Sequence, residues 1–201
     1  MIDRRLLLTT SALMLTGCDR LGWPGQQKPK ASFNAVDITG ANYGSTLALP
    51  DADGKPRTLA EFKGKLVFLF FGYTQCPDVC PTTMAELAQV KKTLGTEGER
   101  VQGVFVSVDP ARDTPEVLKA YLGSFDPTFV ALRGTPEQVA EMAKSFKVFY
   151  AKVQGKSETS YTMDHTAGAY VLDTNGQVRL FVRFGGKPEA LAADLRALLA
   201  G

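Results

Sequence analysis

Few side chains of this protein could carry out redox or metal chemistry: the sequence has three cysteines, Cys18, Cys76 and Cys80, and one histidine, His165. A thiolate is both a nucleophile in thiol–disulfide exchange and a ligand for soft metal ions. Three residues separate Cys76 from Cys80, so their sulfur atoms can share one metal ion or form one disulfide. A single histidine cannot form a multi-histidine zinc or di-iron site. The sequence therefore predicts thiol redox chemistry, the binding of one metal ion, or both.

Cys76 and Cys80 lie between a predicted buried strand and a predicted helix. Residues 65–71 are largely an unbroken apolar run, typical of a strand buried on both faces, and residues 81–94 have helical periodicity. Ligand sites of α/β sheets lie at the carboxyl ends of such strands. Because a helix N-terminus stabilises negative charge, this position predicts a lowered thiol pKa for Cys80 and, to a lesser extent, for Cys76. The alternative is a structural disulfide, although so small a loop constrains little of the unfolded chain.

The remaining elements predict an α/β domain. Further strands are expected at residues 101–108, 129–132, 169–173 and 178–183, and the turn residues 174–176 (TNG) predict that the last two form a hairpin. They alternate with helices that begin after Thr114 and Thr135, and an amphipathic helix ends the chain. Residues 47–59, with Asp53-Gly54 at their centre, predict an additional hairpin. This order fits a thioredoxin-like fold, in which helices flank a central mixed sheet, with an extra N-terminal β-hairpin.

His165 immediately precedes the strand predicted at residues 169–173. In a thioredoxin-like topology the loop before this strand passes beside the cysteine pair. A neutral imidazole there would complete a set of two sulfur ligands and one nitrogen ligand. Thiolates suit Cu(I), and an imidazole lets the site also hold Cu(II). Zinc could use the same three ligands with a water molecule, so the ligand types narrow the metal without fixing it.

The N-terminal segment resembles an export signal. Arg4 and Arg5 precede an apolar run at residues 6–15, about half of the ~20 residues that span a bilayer. Residues 15–18 (LTGC) resemble a bacterial lipobox, which implies cleavage before Cys18 and acylation of its thiol. We therefore expect a lipoprotein signal peptide at residues 1–17, a lipidated cysteine with a flexible tether at 18–32, and the thioredoxin-like domain at 33–201. An uncleaved anchor or an ordinary signal peptide is the alternative.

Composition supports one folded domain, and the residues at its N-terminal end support a location outside the cytoplasm. The 201 residues are 44% hydrophobic, with 23 basic and 21 acidic side chains. Such a length and mix suit a single domain with a core of its own. The near balance of charge creates no basic field, so a nucleic-acid partner is not expected.

Asp19, directly after the predicted lipid-bearing cysteine, resembles the signal that keeps some lipoproteins in the inner membrane. The expected location is the inner (cytoplasmic) membrane, facing the periplasm, after export by the Sec or the twin-arginine route.

Three segments together resemble the signature blocks of the Sco/SenC family: residues 76–81 (CPDVCP), residues 107–115 (SVDPARDTP) and Tyr161–His165 (YTMDH). The resemblance implies a thioredoxin-like fold, a mononuclear copper site and a role in assembling the copper A centre of cytochrome c oxidase. The family's ligands correspond to Cys76, Cys80 and His165, with one copper ion, Cu(I) or Cu(II), per chain. Thr166 stands where the family commonly has serine, a change that should not affect the ligand.

Two functions remain open at this stage. The first is a membrane-tethered copper chaperone whose partner is the copper A subunit of cytochrome c oxidase. Its further expected partners are an upstream protein that donates copper to it or a thioredoxin-like protein that reduces its cysteines. The second is a thiol–disulfide oxidoreductase in which Cys76 and Cys80 reduce the partner's copper-site cysteines. A peroxidase is set aside, because Leu69 and Tyr73 occupy the positions of the peroxiredoxin Pro and Thr. A structural module with an incidental disulfide is a further alternative.

The residues around the cysteines and the histidine support weaker predictions. Residues 107–115 predict a strand end and a capped helix, with an ion-pair cluster of Asp109, Arg112 and Asp113. Asp164 is a poor candidate for orienting the imidazole, because adjacent side chains on a chain point apart. Tyr73 is a candidate for shielding the site.

Overall fold

Strands and helices alternate along the part of the chain described by the computed structural model, which is residues 32–44, 46–157 and 160–201. Its strands are β1 (Val36–Asp37), β2 (Ala48–Pro50), β3 (Pro56–Thr58), β4 (Leu66–Gly72), β5 (Val101–Ser107), β6 (Val130–Leu132), β7 (Tyr150–Gln154), β8 (Tyr161–His165), β9 (Gly168–Leu172) and β10 (Val178–Arg183). Its α-helices are α1 (Val79–Leu94), α2 (Pro115–Gly123), α3 (Pro136–Ser145) and α4 (Pro188–Ala200). Cys18 and the predicted leader lie outside the described residues.

The main sheet has six strands in the order β1-β10-β9-β4-β5-β6. Strands β4, β5 and β6 are parallel, whereas β9 pairs with β4 in the antiparallel direction and β10 and β1 continue that side. Helices flank this sheet, and α1 packs against α4. The predicted α/β architecture, a mixed sheet flanked by helices as in thioredoxin-like folds, is confirmed. Within the described residues, no helix has both the length and the apolar character required to cross a bilayer.

The two central strands explain the apolar runs in the sequence. Every residue of β4 and β5 is buried, because each strand has sheet neighbours on both sides and helices cover the sheet. Their parallel register pairs Gly72 with Ser107, the last residues of the two strands. The segments that follow β4 and β5 therefore leave the sheet side by side, and one of them contains both Cys76 and Cys80.

Side-chain caps begin α2 and α3 where the sequence predicts them. The Thr114 hydroxyl accepts a hydrogen bond from the Val117 amide at 3.3 Å. Thr135 and Gln138 form a reciprocal capping box, with distances of 3.3 and 2.9 Å. Each cap satisfies amide groups that the first helical turn leaves without a partner. The predicted starts of both helices are confirmed.

Three hairpins are present in the described residues, and the sequence analysis predicted two of them. The N-terminal hairpin β2–β3 and the hairpin β9–β10 are confirmed. The third, β7–β8, forms a separate two-stranded sheet in which Tyr150 pairs with His165. His165 is therefore the last residue of a strand and not part of a loop, which corrects the prediction. The signal was alternation: Tyr161, Met163 and His165 occupy every second position and are the less exposed residues of β8.

Candidate metal centre

The structure brings Cys76, Cys80 and His165 together. Cys76 lies in the segment after β4, Cys80 is in the first turn of α1, and His165 ends β8. The two sulfur atoms and a ring nitrogen all lie within 4.8 Å of one another. The Cys80 Sγ atom is 3.4 Å from His165 Nε2, although the two residues are 85 positions apart in the sequence. Both cysteines are free thiols. This arrangement can hold one metal ion.

The turn between the cysteines directs both sulfur atoms to the same place. The Cys80 amide donates to the Cys76 Sγ at 3.5 Å, as expected for a sulfur at the beginning of a helix. Upstream, the Cys76 amide donates to the Tyr73 carbonyl at 3.3 Å. Cys76 is half-buried, whereas Cys80 has 0% exposure. Cys76 is thus the sulfur that an approaching molecule can reach.

The prediction of a lowered thiol pKa at Cys80 is wrong. Burial raises the pKa of this thiol far above its ordinary value, and the nearby Cys76 sulfur and Asp113 carboxylate raise it further. The Tyr73 amide lowers the pKa, but by less than burial raises it. A helix N-terminus stabilises a thiolate by an amount typical of exposed sites, whereas complete removal from water costs more. In the metal-free protein, Cys80 is therefore a neutral thiol, and a metal ion has to displace its proton.

His165 is held in the tautomer that a metal ligand requires. Its Nδ1 lies 3.2 Å from the Thr166 carbonyl oxygen, and since a carbonyl only accepts, Nδ1 carries the proton. The lone pair of Nε2 then faces the Cys80 sulfur. As predicted, the neighbouring Asp164 does not orient the ring. The edge-on rings of Phe70 and Tyr73, 5.7 and 6.0 Å away between centroids, pack against the imidazole.

The pKa of His165 should lie below its ordinary value of 6.5 in the metal-free protein. Burial lowers it, and the Thr166 carbonyl and the Asp164 charge only partly oppose this effect. The folded protein therefore takes up this proton less readily than the unfolded chain, so the associated stability is lost as pH falls below 6.5. Because the chain has one histidine, the ring proton resonances give the midpoint directly by NMR. A midpoint at or above 6.5 would contradict the expected burial effect.

Asp113 binds the segment between β4 and α1 (residues 73–78), which is called the cysteine segment below. The sequence analysis predicted a different partner for this carboxylate. The ion pair of Arg112 with Asp109 is confirmed. Asp113, however, accepts hydrogen bonds from the Ser107 hydroxyl and the Thr74 hydroxyl, both at 2.6 Å, and from the Thr74 amide. Burial raises its pKa, while these hydrogen bonds lower it. The carboxyl group thereby joins the end of β5 to the segment that leads to the cysteines.

Gly72 contributes to the site although the sequence patterns did not single it out. A Cβ atom at this position would lie 2.8 Å from the Cys80 sulfur, 2.8 Å from the Phe70 ring and 3.0 Å from the Phe105 ring. Real side chains do not approach so closely, so only glycine leaves room for the sulfur where it stands. A glycine that ends an otherwise bulky apolar strand was the available signal.

Gly72→Ala is expected to displace the Cys80 sulfur and to lower the free energy of unfolding by about 1–3 kcal/mol, the usual range for overpacking a core. Urea denaturation measures the stability, and thiol-to-metal charge-transfer absorption measures the sulfur position. Gly123→Ala is the matched control, because a Cβ atom there meets nothing within 4 Å. An unchanged spectrum and stability in the Gly72 variant would show that the contact is relieved elsewhere.

Beside the three side chains is a surface depression of about 410 Å³. It is lined by Cys76, Pro77, Asp78, Val79, Phe149, Met163, Asp164, His165 and Ala167. Phe149 is 64% exposed, the largest exposure among the bulky apolar side chains described. Its backbone is fixed, because its amide donates to the Thr166 hydroxyl oxygen at 3.0 Å and its carbonyl accepts from the Thr166 amide at 2.9 Å. An apolar ring is thus presented to solvent next to the donor atoms.

The fold and the site together define the class of this protein. It is a thioredoxin-like domain with a cluster of two cysteines and one histidine beyond the carboxyl end of the central strand β4. The SCO1/SenC family model matches residues 36–200, and the chain belongs to that family. The SCO2-like protein of Rickettsia felis is 36% identical over 171 residues, which are 85% of this chain and 83% of the relative.

Solved structures also resemble the chain. The Bradyrhizobium japonicum ScoI structure, with copper bound, is 42% identical with a TM-score of 0.70, covering 78% of this chain and 99% of that one. Apo Sco1 of Thermus thermophilus is 40% identical with a TM-score of 0.74, covering 83% of this chain and 97% of that one. The fold and family expected from the sequence are therefore confirmed.

Proposed function

We propose that this chain binds one copper ion through Cys76, Cys80 and His165 and delivers it to the copper A centre of cytochrome c oxidase. The observation that carries the proposal is the clustering of the three donor atoms within 4.8 Å. Two sulfur atoms and one imidazole nitrogen suit Cu(I), and the imidazole also suits Cu(II). The ScoI of Bradyrhizobium japonicum and the Sco1 of yeast, both similar in fold, have been solved with copper.

Access to the site supports delivery of the ion to another protein. Copper is the cargo here, so its ligands have to be reachable by a partner's ligands. Cys76 and His165 are half-buried and line the surface depression together with the exposed ring of Phe149. Aromatic side chains on a surface favour contact with other proteins. The copper A subunit is therefore expected to approach from this side, with the copper moving from Cys76 and His165 toward the partner's own ligands.

Cys18 is proposed to anchor the chain to the inner membrane, with the domain facing the periplasm. The lipobox-like residues 15–18 support this location, and a SCO1/SenC family lipoprotein of Bacillus anthracis is 28% identical, with a TM-score of 0.67. Cys18→Ala should abolish incorporation of a labelled fatty acid into the protein, since the lipid can no longer be attached to the thiol. Metabolic labelling followed by immunoprecipitation measures the change, because a leader that is no longer cleaved would itself keep the variant in the membrane fraction. Undiminished labelling of this variant would contradict lipid anchoring at Cys18.

A second candidate, thiol–disulfide exchange, is favoured by the unequal exposure of the two cysteines. The accessible Cys76 thiolate would attack a partner disulfide and release one partner thiol. Cys80 would then attack the mixed disulfide, releasing the second thiol and leaving a Cys76–Cys80 disulfide, so two electrons pass to the partner. The raised pKa of Cys80 opposes the second step, because that thiol must lose its proton to react. Copper binding requires the same loss of a proton, so this pKa does not separate the two functions. Exchange ranks second because it makes no use of His165, whose Nε2 lies 3.4 Å from the Cys80 sulfur.

The deciding experiment separates His165 from the thiols. Anaerobic copper titration of the reduced protein, with a competing chelator, is expected to give one copper per chain, followed by transfer to a metal-free copper A domain. His165→Ala should lower both the copper affinity and the transfer. Absence of stoichiometric copper binding by the unaltered protein would contradict the proposal. If His165→Ala still reduces an oxidised copper A domain at the original rate, the oxidoreductase function is the correct one.

A further inference from the structure

Arg112 bridges the two parts of the molecule that supply the donor atoms. It lies in the segment between β5 and α2, outside the ligand set. Its Nη1 atom donates to the Gln75 side-chain oxygen at 3.0 Å and to the Tyr161 carbonyl oxygen at 3.0 Å. Gln75 directly precedes Cys76, and Tyr161 begins the strand that ends at His165. One nitrogen atom, with two hydrogens, therefore donates both to the cysteine segment and to the hairpin β7–β8, which is called the histidine hairpin below.

Two further contacts fix the orientation of the guanidinium group. Its central carbon lies 3.5 Å from the centroid of the Tyr161 ring, a stacked cation–π arrangement. Asp109, which is buried, accepts from Arg112 Nε through one oxygen and from the Tyr161 hydroxyl, at 2.9 Å, through the other. Arg112, Asp109 and Tyr161 thus form a closed set of contacts, and a small rotation of any one of them would break at least one hydrogen bond.

The histidine hairpin needs such a support. In the described residues, β7 and β8 pair with each other and with no strand of the main sheet. The main-chain hydrogen bonds of the main sheet therefore begin only two residues beyond His165, where the Phe184 amide donates to the Ala167 carbonyl at 3.2 Å. Within β8 itself, the distance of His165 from the sulfur atoms also depends on side-chain contacts at the two ends of the strand. Phe70 and Tyr73 pack against the histidine end, and Arg112 holds the Tyr161 end.

We propose that Arg112 is a positioning residue for the metal centre: it sets the distance between His165 and the two cysteines without contacting the ion. This inference rests on the copper site proposed above. A lysine cannot replace it, because an ammonium group is a compact charge that lacks the planar set of donors and the stacking face. Loss of Arg112 is therefore expected to act like the loss of a hydrogen-bond partner behind a metal ligand, which typically lowers metal affinity about 10–100-fold.

A double-mutant cycle tests whether Arg112 acts through His165. Arg112→Met should lower the copper affinity about 10–100-fold in the original protein. In the His165→Ala background the same substitution should change the affinity by less than about twofold, because the group that it positions is gone. An equal loss in both backgrounds would overturn the proposal, since Arg112 would then act on the cysteines or on stability alone. Arg112→Lys, a smaller change, repeats the cycle if the methionine variant does not fold.

Arg133→Met is the matched control. Arg133 also donates to the segment between β5 and α2, to the Asp113 and Pro110 carbonyls at 2.9 Å each. Both of these bonds end within that segment and reach neither the hairpin nor the cysteine segment. The substitution should lower stability without a selective loss of copper affinity. A comparable loss of affinity in this control would also overturn the positioning role.

A readout on metal-free protein separates this proposal from the proposed function. Amide hydrogen exchange of β8 should be at least about tenfold faster in Arg112→Met than in Arg133→Met, equivalent to about 1.4 kcal/mol of lost local stability. Equal exchange rates would overturn the positioning role even if copper binds. If the unaltered protein binds no copper but exchange differs as expected, the proposed function fails while the support of His165 by Arg112 stands.

Discussion

Cys80→Ser is expected to lower copper affinity by more than about a hundredfold, beyond the range seen when an outer partner of a metal ligand is lost. It should also lower the free energy of unfolding by about 1–3 kcal/mol, since a hydroxyl group would replace a thiol in a site with 0% exposure. Cys76→Ser should lower affinity similarly. Because Cys76 is half-buried, this second variant should leave stability within about 0.5 kcal/mol.

Competition with a Cu(I) chelator measures the affinities, and urea denaturation of metal-free protein measures the stabilities. Cys80→Ala is the matched control: it removes the ligand without burying a hydroxyl group. The raised pKa of Cys80 adds a pH dependence, because copper has to displace a proton and its apparent affinity should therefore rise with pH. Unchanged one-to-one binding in both serine variants would refute the ligand assignment.

Asp113→Ala is expected to give the largest loss of stability, about 2–4 kcal/mol, because it leaves several buried donors without an acceptor. Those donors are the Ser107 hydroxyl and the Thr74 hydroxyl and amide. Since Thr74 precedes the cysteines by two residues, copper affinity should fall as well. Chemical denaturation measures the stability. Asp53→Ala, at a surface carboxylate, is the control and should change stability by less than about 1 kcal/mol.

Asp113→Asn separates hydrogen bonding from charge. Burial is the largest influence on the Asp113 carboxyl and raises its pKa above 3.8, so the folded protein holds this proton more tightly than the unfolded chain. The associated stability is present below 3.8 and is lost as pH rises through the folded-state pKa. The stability of the asparagine variant relative to the original protein should therefore improve as pH rises over that interval. A difference independent of pH would show that Asp113 has an ordinary pKa.

The parts of the fold that could be predicted are those with local signals. The apolar run of β4 indicates a strand covered on both faces, and Thr114 and Thr135 each cap a helix with their own side chains. The turn at Asp53-Gly54 has Gly54 at φ +79°, a conformation that favours glycine. Each of these signals depends on residues close in sequence, so a single sequence contains them in full.

The parts that could not be predicted depend on contacts between distant residues. The pKa of Cys80 follows from complete burial, which the helix N-terminus alone does not reveal. The partner of Asp113 is Thr74, 39 residues away, and not the adjacent Arg112. The strand β7 is mostly exposed, so it lacks the apolar pattern that identified other strands, and the strand character of His165 was missed with it. The grouping of three donor side chains was nevertheless expected, because the topology of the sheet brings their segments to one edge.

In the proposed copper site, the position of His165 on its own small sheet would make the metal ion a cross-link. An ion shared by Cys80 and His165 joins residues 85 positions apart and closes a long loop, as a disulfide does. If the hairpin β7–β8 opened, the donor atoms would separate, so free copper would favour the closed arrangement by mass action. Opening of the hairpin and release of the ion would then be one linked equilibrium. A partner that drew the hairpin outward would weaken copper binding by the free energy of that movement.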